Sequence, residues 1–138
     1  MPDPLSEQRN VYKGEPARAW LRLRLISPSD RVQELEFLVD TGNPCAIIID
    51  TPTMQFLRWR GSMLTESNFG PLEGGWLRIA VPELALDVKT LGFANDSVVR
   101  IVQRSHPGFA GLVGLPFLRM VEYGGDRGWF WIRPLADG

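Results

Sequence analysis

The stretch Glu36-Phe37-Leu38-Val39-Asp40-Thr41-Gly42 decides how this chain is read. An apolar run ends abruptly in an acid, a hydroxyl and a glycine. A second apolar run, Cys45 to Ile49, follows almost at once. Both arms of the turn therefore read as buried β structure, rich in branched residues. Asp-Thr-Gly alone reads as an Asx-type turn, the ordinary fate of an acid at a strand end. A carboxyl group held between two buried arms is also a candidate general acid or base.

Upstream, Ala17 to Ser27 alternates apolar residues with arginine: Leu21, Leu23 and Leu25 point one way, Arg22 and Arg24 the other. That period of two predicts a half-buried strand forming a hairpin with Glu34 to Asp40 across the turn around Ser27-Pro28-Ser29-Asp30. Residues 1–16 read as a loose arm. Downstream, Asp50 or Thr51 can cap a helix with Pro52 in its first turn, and Gly61 is its expected end. Residues 65–76 are a polar, glycine-rich excursion. A hairpin around Pro82-Glu83 follows, and Ser97-Val98-Val99-Arg100-Ile101-Val102-Gln103 predicts a further strand. Residues 105–120 run from a loop through a short apolar strand into a short helix. Residues 121–134 close the chain as two strands around Gly124-Gly125-Asp126-Arg127-Gly128. The expectation is a single, mostly β domain over residues 17–138 with one or two short helices.

Composition narrows the chemistry. The chain has 138 residues, 44% hydrophobic and 22% charged, with a formal net charge of -1, the balance of an ordinary globule. No basic cluster interleaved with aromatics argues for nucleic acid. The single cysteine, Cys45, excludes an internal disulfide framework and reads as a small core residue. The single histidine, His106, precedes Pro107 in a loop and reads as a loop residue. With one Cys and one His, soft-ligand zinc or haem sites cannot be built, and no cofactor is expected. The opening residues lack the apolar core of a secretory leader, and no apolar run approaches membrane-spanning length. A cytoplasmic location without membrane attachment is the default expectation.

One further pattern gives Asp40 a context. Phe37 to Gly42, followed by an apolar run and a short helix, resembles the active-site motif of retropepsin-like aspartic proteases. The family's second element, two apolar residues and a glycine before a short helix, matches Leu112-Val113-Gly114. Between them the family carries a glycine-rich flap hairpin, and residues 66–81 occupy that place. The likeness spans roughly Ala17 to Ile132. It implies a closed β-barrel corresponding to one lobe of the acid-protease fold, with Asp40 as catalytic residue. It also implies supporting roles for Thr41, Gly42, Leu112, Val113 and Gly114. Asn43, Phe69, Gly70, Gly74, Gly75 and Trp76 are then the substrate-facing residues, with the flap glycines permitting opening and closing. Peptide hydrolysis by carboxylates needs two of them around one water, and this chain holds one Asp-Thr-Gly. The resemblance therefore implies a homodimer with Asp40 and its symmetry mate face to face, acting on a peptide or protein. It also makes the terminal Trp129-Phe130-Trp131 run a candidate interface strand as well as a core strand.

The chain departs from the family after the tripeptide. Asn43-Pro44 stands where a small residue and then a hydroxyl or acid are usual, and Leu115-Pro116 replaces a polar pair before the helix. Two rival readings follow: a dimeric peptide-binding or regulatory module with little hydrolysis, and a monomeric β domain whose Asp-Thr-Gly is only a turn.

Overall fold

Gln8–Val11 forms a strand, β1, where a loose arm was expected. The computed structural model describes residues 6–59, 63–67 and 70–135. What fixes β1 is side-chain chemistry invisible to hydropathy: Gln8 and Asn10 are buried. The Gln8 amide accepts from Arg22 N at 2.7 Å and donates to Arg22 O at 2.8 Å, while Asn10 donates to Trp20 O at 3.0 Å. Those bonds satisfy the free edge of the next strand, as backbone groups buried at a sheet edge require.

That next strand is β2, Trp20–Ile26, and it pairs antiparallel with β3, Val32–Asp40, in the expected hairpin. Leu21, Leu23 and Leu25 are fully buried. Arg22 and Arg24 lie on the outer face and pair across the strands with Glu34 and Glu36. The chain continues through β4, Ile47–Ile49, to helix α1, Thr51–Leu57. Asp50 caps α1 by accepting from Thr53 N at 2.9 Å, and the helix stops at Leu57 rather than near Gly61.

A hairpin of β5, Met63–Ser67, and β6, Gly70–Val81, follows. A 3-10 turn at Pro82–Leu84, with Ala85 in the left-handed region, leads to β7, Leu86–Ala94. The strand expected over residues 97–103 is instead helix α2, Asp96–Ser105. Its β-branched composition favours a strand, but the buried residues Val99 and Val102 and half-buried Val98 fall at helical spacing. Asn95 caps it by accepting from Val98 N at 3.2 Å. Strand β8, Gly111–Gly114, runs into α3, Leu115–Leu118. β9, Val121–Gly125, and β10, Trp129–Pro134, close the chain. Three short helices thus stand where one or two were expected.

Six strands close into a barrel in the order β2-β3-β8-β4-β7-β6, with β2 pairing β6 to shut it and β5 appended to β6. A smaller sheet, β1-β10-β9, packs beside it. Strands β3 and β4 are consecutive yet not paired. β8 lies between them, parallel to β3 and antiparallel to β4. Phe37, Ile47, Ile49 and Val113 point into the barrel core. Leu38, Ile48 and Leu112 point outward and are covered by Val99, Val102 and Phe109. Burial on both faces explains why these three strands carry continuous apolar runs rather than alternation.

Candidate active site

The parallel pairing of β3 with β8 places Asp40 opposite Gly114, at the ends of both strands. A turn follows, closed by Asn43 N donating to Asp40 O at 3.1 Å. Gly42 N donates to Asp40 Oδ1 at 3.2 Å. Two more backbone bonds tie the turn to the second element: Leu115 N to Asn43 O at 3.1 Å and Gly114 N to Ala46 O at 2.9 Å. The two sequence motifs are therefore one constellation in space.

Glycine is required where these chains meet. A Cβ at Gly114 would lie 2.0 Å from Cys45 O and 2.7 Å from Asn43 O, and one at Gly111 would lie 1.8 Å from Ile48 O. Leu112 and Val113 between them are buried on opposite faces, Leu112 beneath α2 and Val113 in the barrel. Leu112 and Val113 pair with Leu38 and Val39 of β3, the two residues that precede Asp40.

The turn is not buried with its arms. Asp40, Thr41 and Gly42 are all exposed in the single chain, although both flanking strands are core. Asn43 is the reverse: expected to face substrate, it is 7% exposed and packs against Gly114. Its Oδ1 accepts from Cys45 N at 3.0 Å, and its Nδ2 is buried without a partner. Cys45 is half-buried, and burial pushes its thiol above the ordinary range, which removes thiolate character and suits a packing role.

The β5–β6 hairpin occupies the flap position in the chain. Phe69 lies outside the described residues, and Gly70 opens β6 opposite Ser67. Gly74 and Gly75 are not loop glycines. They are buried in β6, where a Cβ would meet the Phe93 ring at 2.9 Å and Arg58 Cβ at 2.9 Å respectively. Their role is close packing at the base of the hairpin rather than flexibility. Glu73 is the first β6 residue paired with β7, and it forms an ion pair with Arg58 at the end of α1. Trp76 is 44% exposed, and its carbonyl accepts from Trp59 N at 2.8 Å.

His106 is buried at the end of α2 rather than free in a loop. Its ring stacks on Phe109 with centroids 5.2 Å apart. Among the described residues, no group of three or more His, Cys, Asp or Glu side chains could hold a metal ion. No helix among them is long and apolar enough to cross a membrane. Comparison of this chain with protein-family models, with curated proteins and with solved structures finds no match.

Proposed function

We propose that this chain is a homodimeric, retropepsin-like aspartic endopeptidase in which Asp40 from each of two copies forms the catalytic dyad. The observation that carries the reading is the exposed Asp40 carboxylate at the end of a core strand, in register with Gly114. An acid placed there by two interlocked buried strands is rigidly held, yet open on one side. The exposure of Thr41 and Leu115 beside it leaves that side for a second copy.

The chemistry follows from pairing. Two carboxylates at close range cannot easily both ionise, so they share one proton; the paired acids of aspartic proteases are the established case. The ionised member takes a proton from the water held between them. The protonated member donates to the peptide carbonyl oxygen as the tetrahedral intermediate forms. Asp40 and the partner subunit's Asp40 exchange these roles by symmetry, and the titrations belong to the pair. Gly42 N, already on Asp40 Oδ1, steadies the ionised member.

A second reading has one observation in its favour. Pro44 provides neither the hydroxyl nor the acid usual at its position, which fits a peptide-binding module with weak hydrolysis. Digestion of a mixed peptide library at acidic and neutral pH separates the two. Cleavage that disappears in Asp40→Asn supports the protease; binding without cleavage at any pH supports the module.

A further inference from the structure

Among the described residues, the buried side-chain nitrogens and oxygens without a hydrogen-bond partner belong to two residues, Asn43 and His106. The His106 ring is pressed against the backbone of Gly14, where a Cβ would come 2.1 Å from Nε2, so its setting is one of packing. The Asn43 nitrogen is different because of where it sits. Asn43 ends the turn that Asp40 begins, and the two ends of such a turn lie within about 7 Å of each other. Cys45 N–H can bond only to an acceptor, which turns the amide oxygen of Asn43 toward Cys45 and its NH2 group away. The backbone N–H and C=O of Asn43 are both committed, to Asp40 O and Leu115 N. The residue is thus held by three hydrogen-bonded atoms, with the two N–H donors of its NH2 group left over.

Asp40 has the complementary surplus. Its carboxylate accepts one bond, from Gly42 N, and otherwise faces solvent. When a second copy covers the turn, that solvent is lost and the carboxylate oxygens need another donor in its place. We infer that Asn43 is a positioning residue: its Nδ2 donates to the Asp40 carboxylate in the paired molecule. The contact rests on the proposed pairing of two copies and its catalytic consequence on the proposed dyad, and the two are tested separately.

The contact is read from the Asn43 side-chain NH2 resonances of the full chain at concentrations where copies pair. The expected result is slowed exchange with solvent and a shift that is abolished in Asp40→Ala. The consequence is read from peptide hydrolysis by two variants. Asn43→Leu removes donor and acceptor, while Asn43→Asp keeps an acceptor for Cys45 N–H and puts a second carboxylate oxygen in place of the NH2 donor. Both should lower kcat about tenfold to a hundredfold with little change in KM, and both should alter the acid limb of the pH profile. NH2 resonances indifferent to Asp40→Ala overturn the contact. Hydrolysis with unchanged kcat and pH profile in both variants overturns the positioning role while leaving the protease standing. If the parent cleaves nothing but the resonances respond to Asp40→Ala, the contact stands and the protease reading fails.

Discussion

Asp40 and Gly114 face each other at the ends of two parallel strands, and the space between Gly114 and the Asp40 turn is too small for a methyl group. Gly114→Ala forces backbone apart at Cys45 and Asn43 instead of rotating a flexible side chain. We expect a loss of about 3 kcal/mol or more, the upper end for overpacking, measured by denaturant unfolding. Gly108→Ala is the control: an added Cβ there meets nothing within 4 Å. Its stability should stay within about 0.5 kcal/mol of the parent.

Asp40→Asn should leave the fold unchanged while abolishing cleavage. The side chain is exposed, and the amide oxygen can still accept from Gly42 N. Unfolding midpoints and circular dichroism should therefore match the parent. Peptide cleavage should fall by a factor of about a thousand or more if this carboxylate is the general base. Cleavage at the parent's rate would remove Asp40 from the chemistry.

One acid per chain makes activity depend on pairing. Specific activity should rise with chain concentration and level off as copies associate, in step with mass from light scattering. When parent chains are equilibrated with an equal amount of Asp40→Asn, roughly a quarter of all dimers should carry two Asp40 residues, about half the number the parent chains form alone, by random C2 pairing. The specific activity per parent chain should drop accordingly. A strict monomer that cleaves peptides would contradict the dyad.

Much of the barrel is legible in the sequence because period-two alternation and turn residues determine local geometry. The β2–β3 and β6–β7 hairpins and the β9–β10 pair fall where the pattern puts them. The errors share a cause: each concerns what a segment packs against. Val98, Val99 and Val102 favour strand by composition, yet Leu38, Ile48 and Leu112 needed a cover on the outer barrel face, and a helix supplied it. Continuous rather than alternating apolar residues in β3, β4 and β8 carried that signal. Gln8 and Asn10 look like solvent-exposed residues of an arm until β2 presents, at Trp20 and Arg22, the part of its edge that β6 does not pair. Gly74 and Gly75 resemble loop glycines in sequence, and only α1 and Phe93 show why no side chain fits there. At the site, Asp40 and Gly114 were readable as motifs. The burial of Asn43 was not, because polarity predicts exposure and its place was set by close approach to Gly114.

The Gln8 amide bonds both backbone groups of Arg22, so its removal leaves a partly buried donor and acceptor unsatisfied together. Gln8→Leu keeps the approximate volume and should cost about 3 kcal/mol, since each orphaned group costs about 1–3 kcal/mol. Hydrogen exchange should quicken at Arg22 and along β1 before the barrel strands respond. Unchanged exchange at Arg22 would mean that the small sheet is held by other contacts.

Acid should weaken the fold through two exposed carboxylates. Hydrogen bonds from Gly128 N at 2.7 Å and Trp129 N at 3.1 Å hold Asp126 below the ordinary carboxylate range. The Arg78 guanidinium, bonded to both oxygens of Asp87, does the same there. A carboxyl depressed in the folded state contributes stability that is fully present above its unfolded value, about 4. That contribution is lost as pH falls through the lower, folded value. Stability should therefore hold from neutrality to about pH 5 and decline below about pH 4. Solvent keeps the amplitude modest at both sites. Asp126→Asn retains an oxygen for the turn between β9 and β10 but cannot ionise, so its melting temperature should fall less steeply on acidification. Adding Asp87→Asn should flatten the decline further. An acid slope identical in parent and double variant would show that neither carboxylate carries its hydrogen bonds preferentially in the folded chain.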